Sequence, residues 1–308
     1  MESFALEVEN HLFDLHEKLE NNTYQHSAYE SFYVRDPKLR HIHKPKVIDR
    51  VLHHAIVTAI EPAFEQRFIF DSYSSRKEKG THRAVARLRR FAWRLSRNNT
   101  KTVWILHLDV RKFFDSVDHE ILLHLIGQRV SDGDVLGLIE KIVRSYETSP
   151  GKGIPLGNLT SQLFSNIYLD QLDQFITKTM GIQGYIRYAD DMVIPARNRI
   201  FLECLITLIR DFLEMRLQLT LHPGKIVLRK WHQGIDFLGY IIFPYYSILR
   251  TKTKRRMLKR IKAKHDDFIH GLIDQESFEQ YLQSYLGMLK HCRGWGIRKI
   301  VDKILSLG

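Results

Sequence analysis

Two adjacent carboxylates, Asp190 and Asp191, sit inside the stretch RYADDMVI, between the aromatic-rich run Gly184 to Tyr188 and the apolar run Met192 to Ile194. Like charges side by side repel, and Asp is a poor strand residue, so the arrangement asks for a partner that offsets both costs. A divalent cation is such a partner. A third carboxylate, Asp109, closes the β-branched and apolar run TVWILHLDV, Thr102 to Val110, which has the pattern of a buried strand. If that strand and the hairpin carrying Asp190 and Asp191 are neighbours in one sheet, three hard oxygen donors meet. Mg²⁺ suits such a set, because it takes one or two carboxylates and completes its shell with water and phosphate oxygens. Two such ions about 3.5–4 Å apart activate an attacking oxygen and stabilise the leaving one in an in-line displacement at phosphorus. The chemistry in view is nucleotidyl transfer. Taken singly, an Asp after a strand is commonly a cap and an Asp-Asp pair commonly a turn, so spacing leaves that reading open.

The elements that must position these residues follow from periodicity. Residues 5–20, 46–66 and 81–97 carry apolar positions at helical spacing, the third opening on Thr81 as a candidate cap. After the strand at 102–110, a helix is predicted from Asp118 to about Gln128. A turn-rich segment, Pro150 to Asn158, leads into a long helix from Ser161 to Met180. The hairpin around Ala189 follows, then a helix from about Ile200 to Met215, short strands at 217–228 and 235–249, and a strongly basic helical segment from about Thr251. Helices and hairpins in this mixture predict an α+β fold with a mixed or antiparallel sheet.

Composition narrows the partner. The 308 residues have a soft expectation of two domains at roughly 150 residues each. Forty-seven Lys and Arg against 35 Asp and Glu leave a formal charge of +12, which favours a polyanion. Cys204 and Cys292 lie far apart without CxxC spacing, so they suggest neither a disulfide framework nor structural zinc. No charged leader and no run of roughly 20 apolar residues is present, which predicts a cytoplasmic protein with no membrane partner.

With these residues in view, Tyr188-Ala189-Asp190-Asp191 resembles the YxDD signature of reverse transcriptases, and Leu108 to Asp115 (LDVRKFFD) resembles their other metal-binding block. Further blocks stand in family order: Arg40 to Arg50, Ser72 to Ala84, Gly153 to Asp170, Leu219 to Lys225, and Phe237 to Tyr240. The resemblance implies a right-hand polymerase fold. It assigns residues 1–101 to an N-terminal helix and fingers, 102–249 to the palm with fingers-palm elements around 150–180, and 250–308 to a short basic helical thumb. Within the superfamily, Leu156 and the Gly157…Ser161-Gln162 spacing resemble the reverse transcriptases of diversity-generating retroelements, where intron-encoded and retroviral enzymes usually place Gln at the position of Leu156. Those enzymes copy a template RNA with frequent errors opposite adenine, working with a small basic accessory protein.

By resemblance, Asp109, Asp190 and Asp191 are catalytic and hold two Mg²⁺ ions, with Mn²⁺ a substitute and the Val110 carbonyl a further ligand. Arg40, Arg50, Phe114, Leu156, Gly157 and Lys225 face the incoming dNTP, with Phe114 under the sugar where a bulky ring leaves no room for a 2′-OH. Lys254, Arg255, Lys259 and Arg260 hold template RNA and the RNA/cDNA duplex. His41, His43, His53 and His54 match no zinc spacing and are expected at the surface or on nucleic acid. The alternatives are a retron-like or defence-associated reverse transcriptase, and a non-catalytic RNA-binding protein on the same fold.

Overall fold

A computed structural model describes residues 7–35 and 39–306; the first two positions of the predicted N-terminal helix, 5 and 6, lie outside the described residues. The chain opens with α1 (Val8–Glu20) and a hairpin of β1 (Glu30–Arg35) and β2 (Leu39–Lys44), paired antiparallel with Arg40 opposite Val34. Next come α2 (Val47–Glu65) and α3 (Thr81–Leu95), then β3 (Trp104–Asp109) and the single turn α4 (Phe113–Ser116). Helices α5 (His119–Gly127) and α6 (Gly133–Arg144) each start on an Asp: Asp118 accepts from the Ile121 N–H at 3.1 Å, and Asp132 from the Asp134 and Val135 N–H groups at 3.0 Å. Helix α7 (Leu159–Gln174) is buried on nearly every side and runs on into a π-helical turn, Phe175–Thr179. The hairpin β4 (Ile186–Tyr188) and β5 (Asp191–Ala196) leads to α8 (Arg199–Leu217). Short strands β6 (Val227–Lys230), β7 (Ile235–Phe237), β8 (Tyr240–Ile242) and β9 (Ser247–Leu249) precede three terminal helices, α9 (Thr251–Ile269), α10 (Gln275–Leu289) and α11 (Trp295–Leu305).

Two predicted features are corrected. Helix α3 begins after Gly80, which sits at φ 106° and makes no side-chain cap, so Thr81 is the first helical residue and not the cap. The strand expected over 217–228 is confined to Val227–Lys230; before it the chain makes only one bridge, Leu221 to Val110, and a 3₁₀ turn at Pro223–Lys225. Helix α6 and the β1–β2 hairpin are additional elements.

The described chain forms two compact units. The first comprises Met1–Lys79, His107–Met192 and Glu203–Ile226; the second Gly80–Leu106, Val193–Leu202 and Val227–Gly308. In the first, α7 is the core: α2 and α5 pack on it, and Phe164, Tyr168, Leu169 and Leu172 are almost fully buried. In the second, α9, α10 and α11 pack on one another, and β7–β8–β9 form an antiparallel sheet. The remaining sheet has the order β4-β5-β3-β6. No described helix is long and apolar enough to cross a membrane.

Candidate active site

Strands β5 and β3 are neighbours, so the residue that starts β5, Asp191, and the residue that ends β3, Asp109, come from adjacent strands, both within the first unit. Asp190 occupies the two-residue turn between β4 and β5. That turn needs a left-handed residue, and Ala189 supplies it at φ 52°, a conformation costly for any residue with a Cβ. Beyond β3 the same conformation recurs at Lys112, φ 46°, just before α4.

The hairpin is held from behind by a buried charge pair. Arg187 and Asp173 are fully buried; Nε lies 2.8 and 2.9 Å from the two Asp173 oxygens and Nη2 lies 2.7 Å from Oδ2. The Tyr185 hydroxyl donates to the same carboxylate at 2.7 Å, and Arg187 Nη1 donates to Asn166 Oδ1 at 3.1 Å. At 3.3 Å, Arg187 Nη1 also reaches the Ala189 carbonyl, so this network fixes the turn on which Asp190 sits.

Electrostatics at the carboxylates is unbalanced. Burial, then the charges of Asp109 and Asp191, push the Asp190 carboxyl up to about 6, with Lys225 acting against them. Asp109 is buried; its Oδ2 accepts from Lys225 Nζ at 2.5 Å, whereas Oδ1 has no hydrogen-bond partner. A buried carboxylate oxygen without a donor and three anions that repel one another fit a hard cation. Among the described residues no three His, Cys, Asp or Glu side chains are arranged as a ready-made cage. Phosphate oxygens and water would supply the rest of an ion's shell, the usual situation for Mg²⁺. The bonds that join 109–111 to 220–222, His222 N–H to the Asp109 carbonyl and Arg111 N–H to the Thr220 carbonyl, both at 2.8 Å, flank Val110 and leave its carbonyl out of the pairing.

Two interactions at this site have little or no signal in the sequence. His107 Nε2 lies 3.2 Å from Asp191 Oδ1. Its one sequence signal is its position two residues before Asp109, on the same face of β3. The ion pair between Lys225 and Asp109 joins residues 116 apart in the chain and has no local signal.

The expected nucleotide-binding residues divide. Arg50 and Gly157 line one cavity of about 340 Å³ together with Phe32, His43 and Asn158, near the lower end of the roughly 300–1,000 Å³ of ligand pockets. Arg50 Nε is buried there without a partner, and Gly157 has φ 104°, where a side chain would strain the loop. Arg40 lies exposed on β2 and outside that lining, Leu156 is half-buried, and Phe114 is half-buried with its ring 5.4 Å from that of Phe113. Lys254, Arg255, Lys259 and Arg260 all lie on α9 in the second unit, Arg255 and Lys259 exposed and the other two half-buried. The histidine expectation is corrected at one position: His53 is buried, its Nε2 lies 3.2 Å from that of His26, and burial followed by His26 pushes it down to about 4. His41 and His54 are exposed.

The fold is that of right-hand polymerases. Telomerase from Candida albicans, in a complex with a fragment of telomeric RNA, matches over 92% of this chain and 55% of its own, with a TM-score of 0.56 and 10% identity. Apo telomerase from Candida tropicalis matches over 91% and 62%, with a TM-score of 0.58 and 10% identity. Residues 35–242 match the reverse transcriptase (RNA-dependent DNA polymerase) family, and the chain belongs to it. Among its relatives, protein YkfC of Escherichia coli K12 is 26% identical over 73% of this chain and 69% of its own length. The group II intron-encoded protein LtrA of Lactococcus lactis is 25% identical over 52% of this chain and only 27% of its own.

Proposed function

We propose that this chain is an RNA-directed DNA polymerase that extends a primer on a template RNA by nucleotidyl transfer from dNTPs. The observation that carries the reading is the meeting of Asp109, Asp190 and Asp191 across adjacent strands, with one buried carboxylate oxygen of Asp109 left without a donor. These three would hold Mg²⁺ or Mn²⁺, with the Val110 carbonyl, left out of the strand pairing, as a further ligand in this reading. When bound, such ions activate the attacking hydroxyl and stabilise charge on the transferring phosphate. The protein's own part is positional. Arg187 holds the turn, His107 orients Asp191, and Lys225 fixes one oxygen of Asp109 and is placed to carry positive charge toward a phosphate. Arg50 is the phosphate ligand we favour, since its guanidinium has an unpartnered buried nitrogen in a cavity edged by Gly157.

We assign residues 1–101 to an N-terminal helix and fingers, 102–249 to the palm with fingers-palm elements around 150–180, and 250–308 to a basic helical thumb. Helix α9 is the duplex-holding surface in this reading, and its affinity comes from phosphate neutralisation. Replacing Lys254, Arg255, Lys259 and Arg260 with Gln is expected to flatten the fall of RNA affinity with salt by roughly 0.7–0.9 in log–log slope for each phosphate that is no longer neutralised. Filter binding across a salt series checks this; an unchanged slope returns the face to solvent.

Leu156 and the Ser161-Gln162 pair favour a diversity-generating retroelement, copying its template RNA with errors opposite adenine beside a small basic accessory protein. A Gln at 156 would offer a hydrogen bond that orients the incoming nucleotide, typically worth roughly 0.5–1.5 kcal/mol, up to about tenfold in selection. The half-buried Leu156 offers apolar contact only. The deciding experiment is primer extension on an adenine-containing RNA followed by cDNA sequencing. Wild-type protein is expected to make cDNA with errors concentrated opposite adenine, and Leu156→Gln to make it with fewer. The same assay with rNTPs reads Phe114→Ala, which should admit them. Absence of any cDNA would favour the non-catalytic RNA-binding alternative. Faithful cDNA would favour the retron-like or defence-associated one.

A further inference from the structure

Gly294 closes the connection between α10 and α11. A Cβ there would stand 2.8 Å from Leu289 Cβ and 3.0 Å from the Leu289 carbonyl oxygen, so the approach requires glycine. The turn starts α11 at Trp295 and commits Ile297 and Val301 to the interior. Trp295 is consequently turned outward and is 72% exposed, an unusual place for the largest side chain. Cations surround it. Lys299, one turn on, holds Nζ 3.9 Å from the indole centroid, and Lys290, Arg293 and Arg298 line the concavity beside the ring, where no carboxylate stands among the described lining residues. Nearby, Arg293 stacks 4.2 Å over Tyr246, next to a 77% exposed Tyr245.

We propose that Trp295 and the cations around it form a docking site for single-stranded RNA, with an unpaired base stacked on the indole and its phosphates met by Lys290, Arg298 and Lys299. Exposed aromatic rings interleaved with cations are what binding of single strands requires: every base has a π-face, and the backbone supplies the charge. In a duplex those faces are covered by neighbouring bases, and a ring in water has nothing to stack on. The basic face of α9 makes the contrast, since its one aromatic residue, Phe268, is half-buried and stacked on Phe278. The site gives the chain a hold on unpaired template separate from the carboxylates. It rests on the proposed handling of RNA, but binding is measured without dNTPs or metal. A failure here therefore leaves the polymerase reading untouched.

The test titrates the full chain with an oligouridylate and, separately, with a blunt RNA duplex. Oligouridylate is expected to quench tryptophan fluorescence, and Trp295→Ala to abolish most of that quenching and weaken binding by about five- to 150-fold, the effect of one stacked base. Trp295→Phe should retain most of the affinity, and Lys299→Gln, which leaves the indole in place, should weaken binding and lower its salt dependence. Duplex affinity should change little in Trp295→Ala. Oligouridylate binding by Trp295→Ala within about twofold of wild type would overturn the proposal, as would an equal loss of duplex binding.

Discussion

Asp190→Asn and Asp109→Asn are each expected to lower primer extension by more than about a hundredfold while leaving the protein folded. The size follows from what is removed: a preorganised charge at the point where phosphate charge develops is worth about 10²–10³ even for a single hydrogen-bond donor, and an ion's ligand is worth no less. The folded state should not suffer at Asp190. Its carboxyl is disfavoured as an anion by burial and by Asp109 and Asp191, so a neutral amide of nearly the same shape relieves repulsion. Asp109→Asn differs, because it also weakens the 2.5 Å hydrogen bond from Lys225 and leaves that ammonium less compensated. Extension rates and urea midpoints of both variants check the pair of expectations. Activity of Asp190→Asn within tenfold of wild type would remove the carboxylate from the reaction.

The second large effect is on stability. Asp173→Ala leaves Arg187, with no exposure to solvent, as an unpaired buried cation and deprives the Tyr185 hydroxyl of its acceptor. Breaking one side of such a pair costs about 3–5 kcal/mol, against a total stability of only about 5–15 kcal/mol for a typical domain. The urea midpoint should fall accordingly. Replacing both partners with apolar residues, Arg187→Met with Asp173→Leu, is expected to recover much of that loss, because the pair's desolvation penalty disappears with it. Activity should not return with stability, since the turn under Asp190 then loses the bond from Arg187 to the Ala189 carbonyl. A double variant that is both stable and fully active would show that the pair serves folding alone.

What the chain itself determined is local. The β-branched run ending at Asp109, the helical spacing of α2 and α3, and the start of a helix at Asp118 are all written within a few residues, because strand and helix patterns depend on near neighbours. The candidate carboxylates were legible for the same reason: adjacent like charges between apolar runs are a local anomaly. The β1–β2 hairpin was not legible, since β1 is exposed along its whole length and shows no inward-outward alternation. Only the tertiary structure decided that Arg187, a charged residue in an apolar run, is a fully buried ion-pair partner 14 positions from Asp173. It alone set Lys225 on Asp109 and His107 on Asp191, 116 and 84 residues apart. Pairings at that separation are fixed by strand order and by the packing around α7, and no spacing in the sequence encodes them.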